Sequence, residues 1–155
     1  MVRGGRSPEA AGGFDLYASV FISAFLAATI IPAQSEAVLA YQLLTSPDAL
    51  VSLVAVATLG NLLGAMVNWW LGRFFVQYSD RPWFPLRPES QRKAERFYRR
   101  YGRYSLLLSW LPFIGDPITV VAGVLREPLW SFALLVGIAK AARYVAIALM
   151  VSGAL

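Results

Sequence analysis

The chain has 155 residues, of which 57% are hydrophobic and only 15% charged, a balance that is typical of integral membrane proteins and leaves too little polar surface for a soluble domain. It contains neither cysteine nor histidine, which excludes disulfides, thiolate nucleophiles, Cys/His zinc sites and histidine proton relays. Eight of the fourteen Lys and Arg residues behind the net charge of +5 fall between Arg81 and Arg103, which indicates membrane topology rather than nucleic-acid binding.

The chain begins with residues 1–13, which are rich in Gly and Ala and are predicted to form a flexible tail. The apolar stretch that follows, residues 14–31, imitates a signal peptide. However, Pro32 follows it directly and no clean small-x-small cleavage site does. We therefore interpret this stretch as the start of a single membrane domain, residues 14–155.

The membrane domain divides into two halves with the same layout. In each half a proline breaks an apolar segment, an acid follows four positions later, and a second proline opens a long apolar run. This pattern predicts two broken hairpins, residues 14–46 and 104–126, each followed by a transmembrane helix, residues 48–76 and 128–153. The breaks are assigned to Pro32, Pro112, Gly115 and Pro117. Coincidence among the nine prolines is the alternative to an internal duplication.

One long helix between two hairpins places them on opposite faces of the membrane, so the predicted fold is an all-α integral membrane protein with two inverted re-entrant hairpins. The basic segment between the halves, residues 78–103, is assigned to the cytoplasm by the positive-inside rule. Residues 88–104 within it predict an amphipathic helix on anionic lipid headgroups, with Phe97, Tyr101 and Tyr104 along its apolar stripe.

Four ionisable residues fall within the apolar segments. Lys140 and Arg143 lie on one face near the middle of the last predicted helix, where each cation costs about 2.5–3.5 kcal/mol to insert. Glu36 and Asp116 lie at the two hairpin breaks, so we expect a neutral intramembrane cluster that lines a polar cavity. A static ion-pair network is one alternative. Hydropathy also leaves open that residues 16–31 span fully, with Glu36 at an interface.

The first long helix carries a small or amide residue at every fourth position, a stripe that favours close packing against another helix. The residues assigned to helix packing are Gly60, Asn61, Gly64, Asn68 and Gly72. Arg73 and Arg126 are predicted to be interfacial, or to stand where a substrate enters.

Four motifs in fixed order, IIPAQSEAVL, GNLLGAMVNWWLGR, FYRRYGRYSLLLSWLPFIGDPITVVAGVLREP and F-x4-G-x6-Y, resemble the DedA family. This family is also called the SNARE-associated or VTT domain, and the chain is most similar to its short YqaA-like bacterial branch over roughly residues 16–150. By this resemblance the family's functional positions fall on Glu36, on Gly60, Gly64, Gly72 and Arg73, and on Ala122, Gly123 and Arg126.

The resemblance implies an inner-membrane protein with two inverted re-entrant hairpins that translocates phospholipids or polyprenyl phosphate carriers, coupled to the proton gradient. The chain departs from the family pattern in three places. Ala65 stands where an acid is common, Trp69 replaces a tyrosine, and residues 109–116 (SWLPFIGD) lack the two arginines of the R-F-x-P-x-x-R pattern.

We predict a lipid or lipid-carrier transporter of the bacterial inner membrane, and not an enzyme. An anionic headgroup would meet Lys140 and Arg143 and leave when Glu36 or Asp116 changes protonation. Expected partners are membrane lipids with anionic phosphate, protons and a second copy of the chain, with no cofactor, metal or nucleic acid. The alternative is a structural protein that assembles with partners through the glycine stripe and keeps its charges as fixed pairs. Hydrolysis of lipid phosphate lacks a nucleophile constellation.

Overall fold

The computed structural model describes residues 8–29, 34–75, 88–111 and 114–153. Nearly all of these residues are helical, which confirms the predicted all-α class. The α-helices are α1 (Pro8–Thr29), α2 (Gln34–Thr45), α3 (Leu50–Phe75), α4 (Pro88–Tyr101), α5 (Gly115–Val124) and α6 (Leu129–Gly153). A 3₁₀ turn, Pro47–Ala49, precedes α3, and a longer 3₁₀ segment, Gly102–Trp110, follows α4.

Two helices, α3 and α6, are long and apolar enough to cross a membrane. Their bounds lie within two residues of the predicted spans, because a long apolar run opened by a proline is a strong local signal. The amino-terminal expectation differs from the structure, since α1 begins at Pro8 and residues 8–13 are helical instead of a flexible tail. A proline is well tolerated in the first turn of a helix, and the following Glu-Ala-Ala favours helix.

The glycine stripe of α3 packs within the chain. A Cβ atom on Gly64 would stand 2.6 Å from the carbonyl oxygen of Phe25 in α1, so a glycine is needed where the two backbones meet. One turn further along, the Asn68 side chain donates a 2.7 Å hydrogen bond to the Ala28 carbonyl oxygen. These contacts hold α1 along one side of α3.

A second close crossing joins α3 to α5. A Cβ atom on Gly72 would overlap the Val120 carbonyl oxygen, and one on Gly123 would overlap the Trp69 carbonyl oxygen. The stripe is therefore occupied by α1 and α5 of the same chain. This corrects the alternative that the stripe serves as an assembly face for partner proteins.

The two halves pack in a crossed arrangement. The first arm of each half, α1 or the 3₁₀ segment, packs on the long helix of its own half, α3 or α6. The second arm, α2 or α5, contacts the long helix of the other half, so α2 meets α6 and α5 meets α3. Each half is thereby completed by the other, as the repeated layout of the sequence suggests.

Two apolar cores result, one that includes residues of α1 and α2 and one that includes residues of α5 and the 3₁₀ segment. The first includes Ala57 of α3 and Ala148 of α6, and the second includes Ala65 of α3 and Val136 of α6. On α6, Lys140 falls between the core positions of the two clusters. The buried cation Lys140 thus lies at the border between the two cores.

Helix α4 lies at the end of the molecule where α3 finishes and α6 begins. Its residue Tyr98 is buried in the second core, and Phe97 of the predicted apolar stripe packs against that core, while Tyr101 and Tyr104 of the stripe are exposed. The helix is therefore anchored by one residue of the stripe and by Tyr98 outside it.

Candidate functional site

The residues assigned to the hairpin breaks fall into two groups. Pro32 and Pro112 lie outside the described residues. Gly115 is the first residue of α5, and a Cβ atom on it would overlap the carbonyl oxygen of Ser109. Pro117 lies in the first turn of α5, where the missing N–H group costs no intrahelical hydrogen bond.

The two acids occupy equivalent positions at the beginnings of short helices. Glu36 lies in the first turn of α2 and Asp116 in the first turn of α5. A carboxylate there is favoured by the unpaired N–H groups and the positive end of the helix dipole. The beginnings of α2 and α5 thus provide a local environment that stabilises negative charge within an apolar segment.

The two cations of α6 each face one of these acids. Arg143 forms a hydrogen-bonded ion pair with Glu36, and the Lys140 Nζ atom lies 3.7 Å from Asp116 Oδ1. The four residues that sequence analysis grouped as a charged cluster therefore form two ion pairs. Their role as a functional site stays a prediction.

The pairs differ in which member is accessible. The side chains of Lys140 and Arg143 are only 3% and 11% exposed, whereas those of Asp116 and Glu36 are 28% and 39% exposed. In each pair the carboxylate is therefore closer to the surface of the molecule than the cation. A group that approaches from outside meets the negative charge first. Sequence analysis placed the four residues together but could not give this order.

A buried chain of hydroxyl and amide groups adjoins the Glu36–Arg143 pair. The Asn61 amide donates a 2.8 Å hydrogen bond to the Tyr144 hydroxyl, which donates a 3.1 Å bond to the Ser35 hydroxyl. This chain links α3, α6 and the first turn of α2. Among the described residues the Asn61 Oδ1 atom has no hydrogen-bond partner. Asn61, assigned to helix packing, thus belongs to the polar region, and Tyr144 entered the sequence analysis only as a motif residue.

Two further hydroxyls are buried near the second hairpin break. Ser105 and Ser109 are both 1% exposed, and within the described part of the chain neither Oγ atom has a hydrogen-bond partner. Both lie in the 3₁₀ segment that packs on α6. Ser109 belongs to residues 109–116, the stretch in which the sequence lacks the two arginines of the R-F-x-P-x-x-R pattern.

Sequence analysis missed a residue that organises the α4 end, Glu127. Its carboxylate accepts hydrogen bonds from the Tyr98 hydroxyl at 2.7 Å and from the Ser131 hydroxyl at 2.8 Å, and lies 3.7 Å from Arg103 Nε. Its carbonyl oxygen accepts a 3.1 Å bond from the Trp69 indole. An acid directly before a proline that opens a helix was the available signal. We call these residues the Glu127 junction.

The Glu127 junction also affects the chemistry of its tyrosine. Burial raises the pKa of the Tyr98 hydroxyl above its ordinary value of 10.0, and the hydrogen bond to Glu127 raises this pKa further. Tyr98 therefore remains a hydrogen-bond donor through the neutral and moderately alkaline range.

The two basic residues predicted at interfaces lie close to this junction. The Arg73 guanidinium stacks over the Trp69 ring at 5.1 Å. Arg126 is exposed and has a φ of 58°, which places it in the left-handed conformation that ends α5. Within the described part of the chain, neither residue forms an ion pair with the four-charge cluster. In the described residues no group of acids forms a set that could hold a metal ion.

Comparison with known proteins gives consistent matches. The sequence model of the VTT domain matches residues 31–153. The chain is 42% identical over 130 residues to "Inner membrane protein YqaA" of Escherichia coli (strain K12), covering 84% of this chain and 87% of that protein. An uncharacterized protein of Haemophilus influenzae is 35% identical over 137 residues, covering 83% and 82% of the two chains. No solved structure matches the chain.

Proposed function

Because the chain belongs to the VTT domain family, also called the DedA family, we propose that it is a bacterial inner-membrane transporter that moves a lipid or polyprenyl-phosphate-type carrier across the bilayer. The relative from Escherichia coli is described as an inner membrane protein, and α3 and α6 are long and apolar enough to span. Both findings support membrane residence.

In the proposed topology both hairpins enter and leave the membrane on one side, the first from the periplasm and the second from the cytoplasm. The crossed packing of the two halves supports this inverted arrangement. Lys140 lies eleven residues after the start of α6, about 17 Å along a helix that rises about 1.5 Å per residue. The acids that pair with α6 would therefore lie near the midplane, and the arginines of α4 would lie on the cytoplasmic side.

One observation carries the proposal: two ion pairs lie within segments that are otherwise apolar. In each pair the carboxylate is more exposed than the cation. Ionisable residues at this depth are costly and usually belong to a substrate or proton path. A phosphate can reach Lys140 only if Asp116 moves or loses its charge, because this cation is almost completely buried behind it. The same relation holds for Arg143 and Glu36.

This geometry allows a headgroup phosphate to exchange with a carboxylate as the partner of a buried cation. Protonation of Asp116 or Glu36 removes one negative charge, and a headgroup phosphate replaces it beside the released cation. The cluster stays close to neutral in both states, which avoids the cost of an uncompensated charge in the membrane. When the carboxyl group loses its proton again, it displaces the phosphate, so the proton and the lipid anion cross together.

The test is lipid movement in vesicles that contain the purified full-length protein and phosphatidylglycerol labelled with NBD on an acyl chain. Bleaching by external dithionite reports movement between leaflets, with and without a pH gradient. We expect the protein to accelerate movement and the gradient to change its rate. Asp116→Asn combined with Glu36→Gln removes both groups that could carry the proton and should abolish the gradient effect, whereas Asp48→Asn, at an exposed acid outside the cluster, should preserve it. A wild-type response in this double variant would contradict the proposal.

The burial of both cations behind their partners also suits the second candidate, a structural protein with fixed pairs. The double variant Asp116→Lys with Lys140→Asp separates the two functions. Fixed pairs should tolerate the exchange, because the attraction is preserved. A transporter should fold but lose lipid movement, because the cation would then stand in front and the carboxylate behind.

A further inference from the structure

The outward face of α4 carries a dense group of exposed cations. We call it the cationic face; its residues are Arg92, Lys93, Arg96, Arg99 and Arg100. At 3.6 residues per turn these five positions fall within an arc of about 120°. Within the described residues none of the five forms an ion pair, whereas Arg103 pairs with Glu127.

The orientation of this face is fixed by the rest of the molecule. Tyr98 lies on the opposite side of α4, where its ring is buried in the second core and its hydroxyl binds Glu127. The cations therefore point away from the protein. Arg92, Arg96 and Arg99, together with Glu95, line a groove of about 500 Å³ along the helix.

Exposed aromatic side chains surround the same end of the molecule. Trp70 and Phe74 are at the end of α3, Trp130 is at the start of α6, and Tyr101 and Tyr104 follow the cationic face. Exposed Trp, Tyr and Phe side chains are typical of the level where headgroups meet hydrocarbon. Their presence at this end of the molecule supports a position of the α4 cations at the height of lipid phosphates.

We propose that the cationic face binds the headgroup phosphates of anionic phospholipids in the cytoplasmic leaflet. The guanidinium groups of Arg92, Arg96 and Arg99 can each donate two parallel hydrogen bonds to a phosphate, which a row of lysines could not do. This binding surface is distinct from the ion-pair cluster and depends only on the membrane placement of the chain, and not on transport.

The experiment uses the full-length protein in phosphatidylcholine vesicles with increasing fractions of phosphatidylglycerol brominated on its acyl chains. Bromine quenches tryptophan. The exposed Trp70 follows Trp69, and the exposed Trp130 comes two residues before Phe132; because Trp69 and Phe132 share the second core with Tyr98 of α4, quenching reports lipid at this end of the molecule. Brominated phosphatidylcholine provides the reference. The test variant is Arg92→Gln with Arg96→Gln, and the matched control is Arg3→Gln with Arg6→Gln, which removes the same charge elsewhere in the sequence.

We expect the wild type and the control to prefer phosphatidylglycerol. The Arg92/Arg96 variant should lose roughly fivefold in relative binding for each cation removed, and added salt should weaken the wild-type preference. An unchanged preference in that variant, or an equal loss in the control, would overturn the proposal. Fluorescein-labelled single-stranded RNA is the competing probe: RNA binding that requires Arg92 and Arg96, with no lipid preference, would assign the surface to nucleic acid instead. Either failure leaves the NBD-lipid assay unaffected.

Discussion

Arg143 in α6 forms an ion pair with Glu36 in α2, although 107 positions separate the two residues in the chain. Together with the pair of Lys140 and Asp116, it ties α2 and α5 to one helix. Helix α6 therefore forms an ion pair with each of these two short helices. A change of charge in either acid alters a contact on the same face of this helix.

Loss of Asp116 should destabilise the protein strongly. Asp116→Asn leaves Lys140 as a buried cation without a charged partner, which typically costs about 3–5 kcal/mol. The double variant Asp116→Leu with Lys140→Met should recover most of this loss, because an apolar pair of similar size needs no compensation. Thermal unfolding in detergent measures both, with Asp48→Asn as the control. A double variant as unstable as the single one would show that the pair is not the source of the effect.

The Glu127 junction should respond to removal of a single oxygen atom. Tyr98→Phe deletes a hydrogen bond to a charged acceptor, which is worth about 1.5–3 kcal/mol. Tyr101→Phe, at an exposed tyrosine of the same helix, should have little effect. Thermal unfolding measures the stability of both variants. An equal loss of stability in both would contradict the contribution of the Tyr98–Glu127 hydrogen bond.

The junction also predicts a pH dependence. A pKa raised in the folded state contributes stability below the ordinary tyrosine pKa of 10.0, and this contribution is lost only as pH rises through the folded-state value. The difference in stability between the wild type and Tyr98→Phe should therefore be constant from neutral pH to about 10 and decrease only above it. Unfolding experiments at several pH values measure this difference in stability. A decrease of the difference near neutral pH would contradict the assignment of the Tyr98 hydroxyl as the hydrogen-bond donor.

Local signals explain what could be predicted from the sequence. The ends of α3 and α6 follow from apolar run length and from Pro47 and Pro128, which act through neighbouring residues alone. The cluster of four charges could be anticipated because a charge within an apolar run is expensive wherever the helices lie.

The remaining features depend on how distant segments meet. The sequence marks Glu127 only as an acid before Pro128, and this residue becomes central because the side chains of Tyr98 and Trp69 reach it. Tyr144 likewise acquires its partners from α3 and α2. Which acid faces which cation, and which member lies in front, is decided by the crossing of helices, and hydropathy contains no information on it.

The closest helix crossing should not tolerate a single methyl group. Gly72→Ala and Gly123→Ala each place a Cβ atom on a backbone carbonyl oxygen of the opposite helix, so α3 and α5 must separate. Gly137→Ala is the control, because its Cβ atom would stand 3.7 Å from Leu62, an ordinary contact. We expect a lower unfolding temperature and lower yield for the first two, and no loss for the third, since alanine favours helix by about 1 kcal/mol. Gel filtration and thermal unfolding measure both properties.

The inverted topology predicts opposite access for two positions beside the hairpin breaks. Ala37 in α2 and Ile114 before α5 are both exposed, and the chain has no cysteine of its own. A cysteine at Ala37 should react with a membrane-impermeant maleimide from the periplasmic side, and one at Ile114 from the cytoplasmic side, because each hairpin opens to water on its own face. A cysteine at Ile138, exposed near the middle of α6, should face lipid and remain unreactive. Labelling of Ala37 and Ile114 from the same side would exclude inverted hairpins, and labelling of neither would exclude a water-filled cavity.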